Sequence, residues 1–189
     1  MSSCPRLETT RLVLRPFQES DLSAYTAMLQ SEPVRRSLHL AEDVAPFDAW
    51  SQMASWLGQW ELRGTGQWAL EEKESGAFIG RAGLHNPARE DWPGVEVGWC
   101  LHPNYWGAGF ATEAGRRAID YAFGELGLIE VCSVILPENL PSIAVARRLG
   151  FTLSEERVLS HFASMPHGIW WLRSDRTGSA WRSPDRFSR

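Results

Sequence analysis

Apolar and polar positions alternate along Arg11–Pro16 ("RLVLRP") until the proline interrupts them, which predicts a first strand. Ser20 or Asp21 then offers a side-chain cap to a helix carrying Leu22, Tyr25, Met28 and Leu29. Between Phe47 and Leu62, the residues Trp50, Met53, Ala54, Leu57 and Trp60 recur at helical spacing, so a second helix is expected to bury a tryptophan-rich stripe. "QWALEE" and "AFIGRAGLH", separated by the turn-like "KESG", read as an antiparallel hairpin. The strand "VEVGWCLHP" puts Val95, Val97, Trp99 and Leu101 on one face and Glu96, Gly98, Cys100 and His102 on the other. "NYWGAGFATEAG" opens a helix expected to reach about Phe123, and the β-branched run Ile129–Leu136 predicts a buried strand. In "PENLPSIAVARRLGF", Asn139 stands at the N-cap, Pro141 in the first turn and Gly150 at the stop. Two last strands are expected near Thr152–Leu159 and Gly168–Arg173.

The order β, α, α, β, β, β, α, β, α, β, β describes an α+β unit, a mixed sheet flanked by helices, over residues 7–174. Residues 175–189 are polar, dotted with arginine and without periodicity, and are expected to form a loose tail. A chain of 189 residues that is 43% hydrophobic supplies core for one domain. A net charge of −4 argues against nucleic acid as partner, because phosphate neutralisation needs a strongly basic face. Lys73 is the sole lysine, so arginine supplies nearly all the positive charge. Cys4, Cys100 and Cys132 make no C-x-x-C pair, so neither a disulfide framework nor a metal is expected. No run of 18 apolar residues and no signal-like start are present, so a cytoplasmic protein without membrane association is expected.

A helix start concentrates unpaired N–H groups and the positive end of the macrodipole, and Gly107 and Gly109 would let an anionic oxygen approach the backbone. No lysine follows them, which excludes a P-loop, and Thr112 stands where a dinucleotide fingerprint needs its third glycine. The glycines alone leave a phosphate cradle and a plain turn both open.

"VEVGWCLHPNYWGAGFATEA", a buried strand and then "PENLPSIAVARRLGF" together resemble the GNAT superfamily of N-acetyltransferases, closest to its Rim-type branch of ribosomal-protein N-terminal acetyltransferases. The resemblance runs from about Leu7 to about Arg173. It implies a mostly antiparallel twisted sheet of about seven strands flanked by about four helices. It also implies acetyl-CoA as co-substrate and direct transfer, in a ternary complex, to a primary amine on a protein N-terminus or small molecule. The superfamily's Q/R-x-x-G-x-G/A loop falls on Asn104–Gly109, with Asn104 departing from the usual Gln or Arg. The coenzyme A pyrophosphate would be held by backbone N–H groups of Gly107, Ala108, Gly109, Phe110 and Ala111. Cys100, Leu101 and His102 would line the thioester, Asn139 would contact the pantetheine arm, and Arg148 would reach a phosphate.

The resemblance implies Glu96 as the base, directly or through water, and flanking Val95 and Val97 would raise its pKa by desolvation. Many superfamily members protonate the thiolate with a tyrosine seven residues after the helix asparagine, but here that position is Ala146. Ser142 matches the serine of the Rim-type branch and would stabilise the thiolate or relay a proton, while a backbone N–H near Leu101 meets the oxyanion. His102 is a reserve base, and a Cys100 nucleophile or a Cys100–His102 metal pair lacks the further groups either would need. A coenzyme A-binding sensor without turnover and a purely structural domain are the competing readings. The tryptophans could serve core, acceptor pocket or a homodimer face.

Overall fold

In the computed structural model, which describes residues 4–162 and 165–174, the expected strands assemble into one eight-stranded sheet. They are β1 (Leu7–Glu8), β2 (Leu12–Arg15), β3 (Gln67–Glu72), β4 (Phe78–His85), β5 (Glu96–Leu101), β6 (Glu130–Ile135), β7 (Thr152–Val158) and β8 (Pro166–Arg173). Their order across the sheet is β1-β2-β3-β4-β5-β6-β8-β7, and only β5 and β6 are parallel neighbours. Five helices flank them: α1 (Leu22–Gln30), α2 (Glu32–Leu38), α3 (Pro46–Arg63), α4 (Phe110–Gly124) and α5 (Leu140–Leu149). The expectation of about seven strands and four helices falls short by β1, which is two residues long, and by α2, which buries only Val34. Neither carries enough apolar periodicity to be read from sequence. The expected tail, 175–189, lies outside the described residues.

Period-two alternation divides the core between the two faces of the sheet. Leu84, Val97 and Leu101 pack with Ala114, Ala118 and Ile119 of α4 on one face, whereas Ala69 and Cys100 pack with Tyr25, Met28 and Met53 on the other. Each fully buried side chain of Ile119's size contributes about 1.5–3 kcal/mol. Among the described residues no helix is long and apolar enough to cross a membrane.

Two local expectations are corrected. Asp21 is at the N-cap of α1 but makes no side-chain cap bond, and Ser20 lies in the preceding 3-10 turn. Its carboxylate instead accepts two bonds of 2.8 Å from the buried Arg15 guanidinium, because a buried cation draws the nearest carboxylate. In α3 the buried stripe is Ala49, Met53, Trp56 and Trp60, while Trp50 remains 46% and Leu57 40% exposed. Ala54 is exposed as well. Both phases have helical spacing, and packing against β3 and α1 selects the one containing Trp56.

Candidate active site

Main-chain pairing between β5 and β6 consists of one rung, Glu96 opposite Cys132, closed by the Cys132 N–H donating to Val95 O at 3.0 Å. Beyond that rung the sheet opens into a cleft of 1320 Å³. Trp99, Cys100 and Leu101 line it from β5, Leu136, Asn139 and Ser142 from the β6–α5 side, and residues 105–113 from the loop that starts α4.

That loop has the shape its glycines allow. Gly107 (φ 78°) and Gly109 (φ 85°) are in the left-handed region, where a side chain is strained. The first intrahelical bond of α4 runs from Glu113 N to Gly109 O at 3.0 Å, so the N–H groups of Phe110, Ala111 and Thr112 precede it and remain as helix-end donors. Arg11, which no sequence signal singled out, braces the loop. Its guanidinium donates to Ala108 O at 2.9 Å, pairs with Glu113 at 2.7 Å, and lies 4.2 Å from the centre of the Phe110 ring.

On the opposite wall, Asn139 caps α5, its Oδ1 accepting from Ser142 N at 3.2 Å. No protein group among the described residues pairs with the Ser142 hydroxyl. Arg148 lines the cleft, and among the described residues no carboxylate pairs with it. Arg147 turns away, its guanidinium 5.7 Å from the Trp170 ring centre beside a separate cavity. Ala146 is fully buried in the core and lines neither the cleft nor its neighbour, so a proton donor at that position is absent from the site.

A smaller cavity of 220 Å³ adjoins the cleft and shares Ser37, Leu38, Trp99, Leu136, Asn139 and Ser142 with it. Glu96 lines this second cavity and not the first. Burial pushes the Glu96 carboxyl from 4.5 up to about 7, against the opposing pull of the Val134 N–H, which donates to it at 3.4 Å, and of the nearby Arg81 guanidinium. A carboxylate titrating there exchanges protons at neutral pH. Trp56, Trp92 and Phe162 supply aromatic wall. Of these residues Arg81 and Trp92 were missed by sequence reasoning, since one looks like any strand residue and the other like loop.

The remaining sequence candidates divide. Leu101, Gly107, Ala108, Gly109, Phe110 and Ala111 all line the cleft. His102 does not: its Nδ1 accepts from Asn104 N at 3.3 Å, turning the ring into the 3-10 turn at Pro103–Tyr105, and Asn104 is outside the lining too. Cys100 reaches the cleft while burial pushes its thiol up, which disfavours a nucleophilic thiolate. No group of three or more metal-ligating side chains occurs among the described residues.

Comparison with known proteins agrees with this geometry. Residues 11–152 match the acetyltransferase (GNAT) domain family. The N-acetyltransferase p20 of Bacillus licheniformis is 31% identical over 149 residues, 77% of this chain and 81% of that protein. The crystal structure of an acetyltransferase from Agrobacterium tumefaciens is 31% identical, with a TM-score of 0.79 over 91% of this chain and 96% of that one. The ribosomal-protein-S5-alanine acetyltransferase from Vibrio fischeri, 18% identical, shares the fold at a TM-score of 0.72 over 95% of this chain and all (100%) of that one. A single-rung splay, a glycine cradle and a domain match over most of the chain converge on one conclusion: the chain belongs to the GNAT family of acetyl-CoA-dependent N-acetyltransferases.

Proposed function

We propose that this protein acetylates a primary amine by direct attack within a ternary complex, the co-substrate occupying the large cleft and the amine the small cavity. The observation that carries this reading is the neck between the two cavities, where Trp99, Leu136, Asn139 and Ser142 belong to both, with Glu96 on the acceptor side only. The cleft fits a phosphate-bearing ligand: the positive φ of Gly107 and Gly109 opens the backbone, helix-end donors follow, and Arg148 lies nearby. Backbone N–H groups of residues 107–111 would hold the pyrophosphate, Arg148 a further phosphate, and Asn139, Cys100 and Leu101 the pantetheine arm. When bound, acetyl-CoA supplies an acetyl group activated as a thioester.

Glu96 takes a proton from the acceptor ammonium, directly or through water, which exposes the nitrogen lone pair. A backbone N–H near Leu101 stabilises the oxyanion, and the Ser142 hydroxyl stabilises the departing thiolate. Thiol release from acetyl-CoA, measured with a panel of amines and peptides, tests the proposal. Amine-dependent release is expected. Stabilisation by acetyl-CoA without release for any acceptor would instead describe a coenzyme A sensor.

A further inference from the structure

The acceptor cavity is lined by the Arg81 guanidinium and the Glu96 carboxylate. Strand register pairs Arg81 with Cys100, Gly83 with Gly98, and His85 with Glu96. Arg81 and Glu96 therefore stand on the same face of adjacent strands, separated by a rung made of two glycines. Arg81 and Glu96 lie two two-residue steps apart along the strands, ~13 Å at the backbone, and of the two glycines between them Gly98 lines the cavity, beside the Gln67 side chain. A Cβ on Gly83 would collide with Gly66 O, whereas one on Gly98 would stop 3.4 Å from Gln67 Nε2 and 3.8 Å from Glu96 Oε1.

Arg81 forms no direct ion pair among the described residues, although the Glu96 carboxylate lies near enough to act on it. Its Nε donates to Tyr25 Oη at 3.1 Å and its Nη1 to Gln67 Oε1 at 3.2 Å. Burial pushes the Tyr25 phenol up, so both oxygens are neutral, and no ion pair among the described residues includes Arg81. Among the described residues Glu96 is the only carboxylate on the cavity wall, beside the histidines His39, His85 and His167. Withdrawing a guanidinium from water without an anion is costly, and a ligand that brings one offsets the cost. The walls mix aromatic side chains such as Trp56 and Trp92 with polar ones such as Ser37, Gln67 and Ser133, and 220 Å³ is below the ~300–1,000 Å³ that drug-sized ligands occupy.

We propose that the acceptor is a compact primary amine carrying a carboxylate a few bonds from its nitrogen, as a small α-amino acid does, and that Arg81 reads that carboxylate while Glu96 faces the amine. This rests on the acetyl-transfer reading. The ammonium gives one proton to Glu96, the nitrogen bonds to the acetyl carbon as the C–S bond breaks, and the nitrogen's second proton is released while the thiolate takes one up. The balance is ammonium plus thioester giving amide, thiol and one proton. A polyamine fits poorly, because its second cation would meet Arg81.

The decisive comparison is each standard α-amino acid against its own amide, by thiol release from acetyl-CoA. The amide lacks the charge but keeps the size, and its less basic nitrogen makes it the easier nucleophile. The amino acid is nevertheless expected to have a KM lower by about tenfold or more, the scale of one charge-assisted hydrogen-bonded pair. Arg81→Met should bring acid and amide together by weakening only the acid. Equal KM values in the unmodified enzyme, an equal loss for both in Arg81→Met, or preference for spermidine would overturn the proposal. If Arg81→Met fails to fold, Gly98→Ala serves, because its methyl would enter the cavity beside Glu96 in ordinary contact range and should raise the amino-acid KM at unchanged Tm; an unchanged KM counts against the proposal. Peptides beginning Asp-Ala-Ala and Asn-Ala-Ala separate a side-chain carboxylate on a chain end from a free amino acid. Should no acceptor release thiol, the transfer reading fails by itself. Calorimetric titration of the coenzyme A-loaded protein with the same acid and amide pairs then decides this one: tighter binding of the acid supports it, and equal or absent binding overturns it.

Discussion

The backbone N–H of Val134 donates to the Glu96 carboxylate at 3.4 Å, so a side chain of β5 takes the place of main-chain pairing at the point where β6 diverges from β5. The candidate base is therefore fixed by the splay itself. Burial then decides its charge, raising the carboxyl to about 7 despite the N–H and the Arg81 guanidinium.

Activity should follow that titration. With an amine acceptor, kcat/KM is expected to rise with pH through an acidic limb near 7, and Glu96→Gln should lower it by roughly 10²–10⁴-fold and abolish the limb. Initial rates of both proteins from pH 5 to 9 check this. An unaltered limb in the variant would assign the base elsewhere.

Stability should move the other way. A carboxyl raised from 4.5 to about 7 on folding favours the protonated native state, so its contribution is complete below about 4.5 and is lost as pH rises through about 7. Glu96→Gln removes the dependence. The two proteins should melt alike at pH 4.5, and the variant should have the higher Tm at pH 8, as read by calorimetry across that window.

Gly109→Ala should cost about 1–2 kcal/mol of stability from left-handed strain at φ 85°. It should also raise the KM for acetyl-CoA with little change in the KM of the amine, because the loop belongs to the large cleft alone. Gly107→Ala, where a Cβ meets no protein atom within 4 Å, isolates the strain and the approach of a ligand from any clash. Steady-state kinetics in both substrates distinguish these effects.

Arg11→Met removes the guanidinium bonds to Ala108 O and Glu113 together and keeps the backbone N–H of residue 11 on Glu113. The arginine is well exposed, so an effect of ~1 kcal/mol is the appropriate scale, or about fivefold in the KM for acetyl-CoA. Equilibrium titration with coenzyme A reads it directly, and full affinity in the variant would show that the loop holds its shape without the brace.

Ser142→Ala should reduce kcat by roughly 10²-fold, as loss of one donor to developing charge does. Its Tm should hold, because Asn139 caps the Ser142 N–H and not the hydroxyl. A variant with both kcat and Tm intact would remove Ser142 from the chemistry.

Local rules made the cleft readable in the sequence where one residue has one purpose. Gly107 and Gly109 are needed at positive φ, Asn139 and Gly150 punctuate α5, and the alternation through β5 puts Glu96 opposite Val97. Readability ended where two solutions satisfy the same period. The α3 residues Trp50 and Leu57 have the spacing of a buried stripe with Met53 and Trp60, yet contacts from distant β3 and α1 complete that stripe with Ala49 and Trp56 instead. Arg11 and Arg81 were invisible for a related reason: each acts on groups far along the chain, Glu113 for one and Tyr25 for the other, and no local pattern encodes such meetings.

The single rung between β5 and β6 leaves the sheet as two hydrogen-bonded blocks, β1–β5 and β6, β8 and β7, with a seam between them. Leu101 on one block and Leu136 on the other both line the cleft, so a molecule seated there would act as a clasp. By mass action such a clasp adds resistance to opening as its concentration rises. If acetyl-CoA is that molecule, the lifetime of this protein against proteases would become a function of acetyl-CoA supply, and scarcity of the co-substrate would thin the enzyme population as well as slow each enzyme.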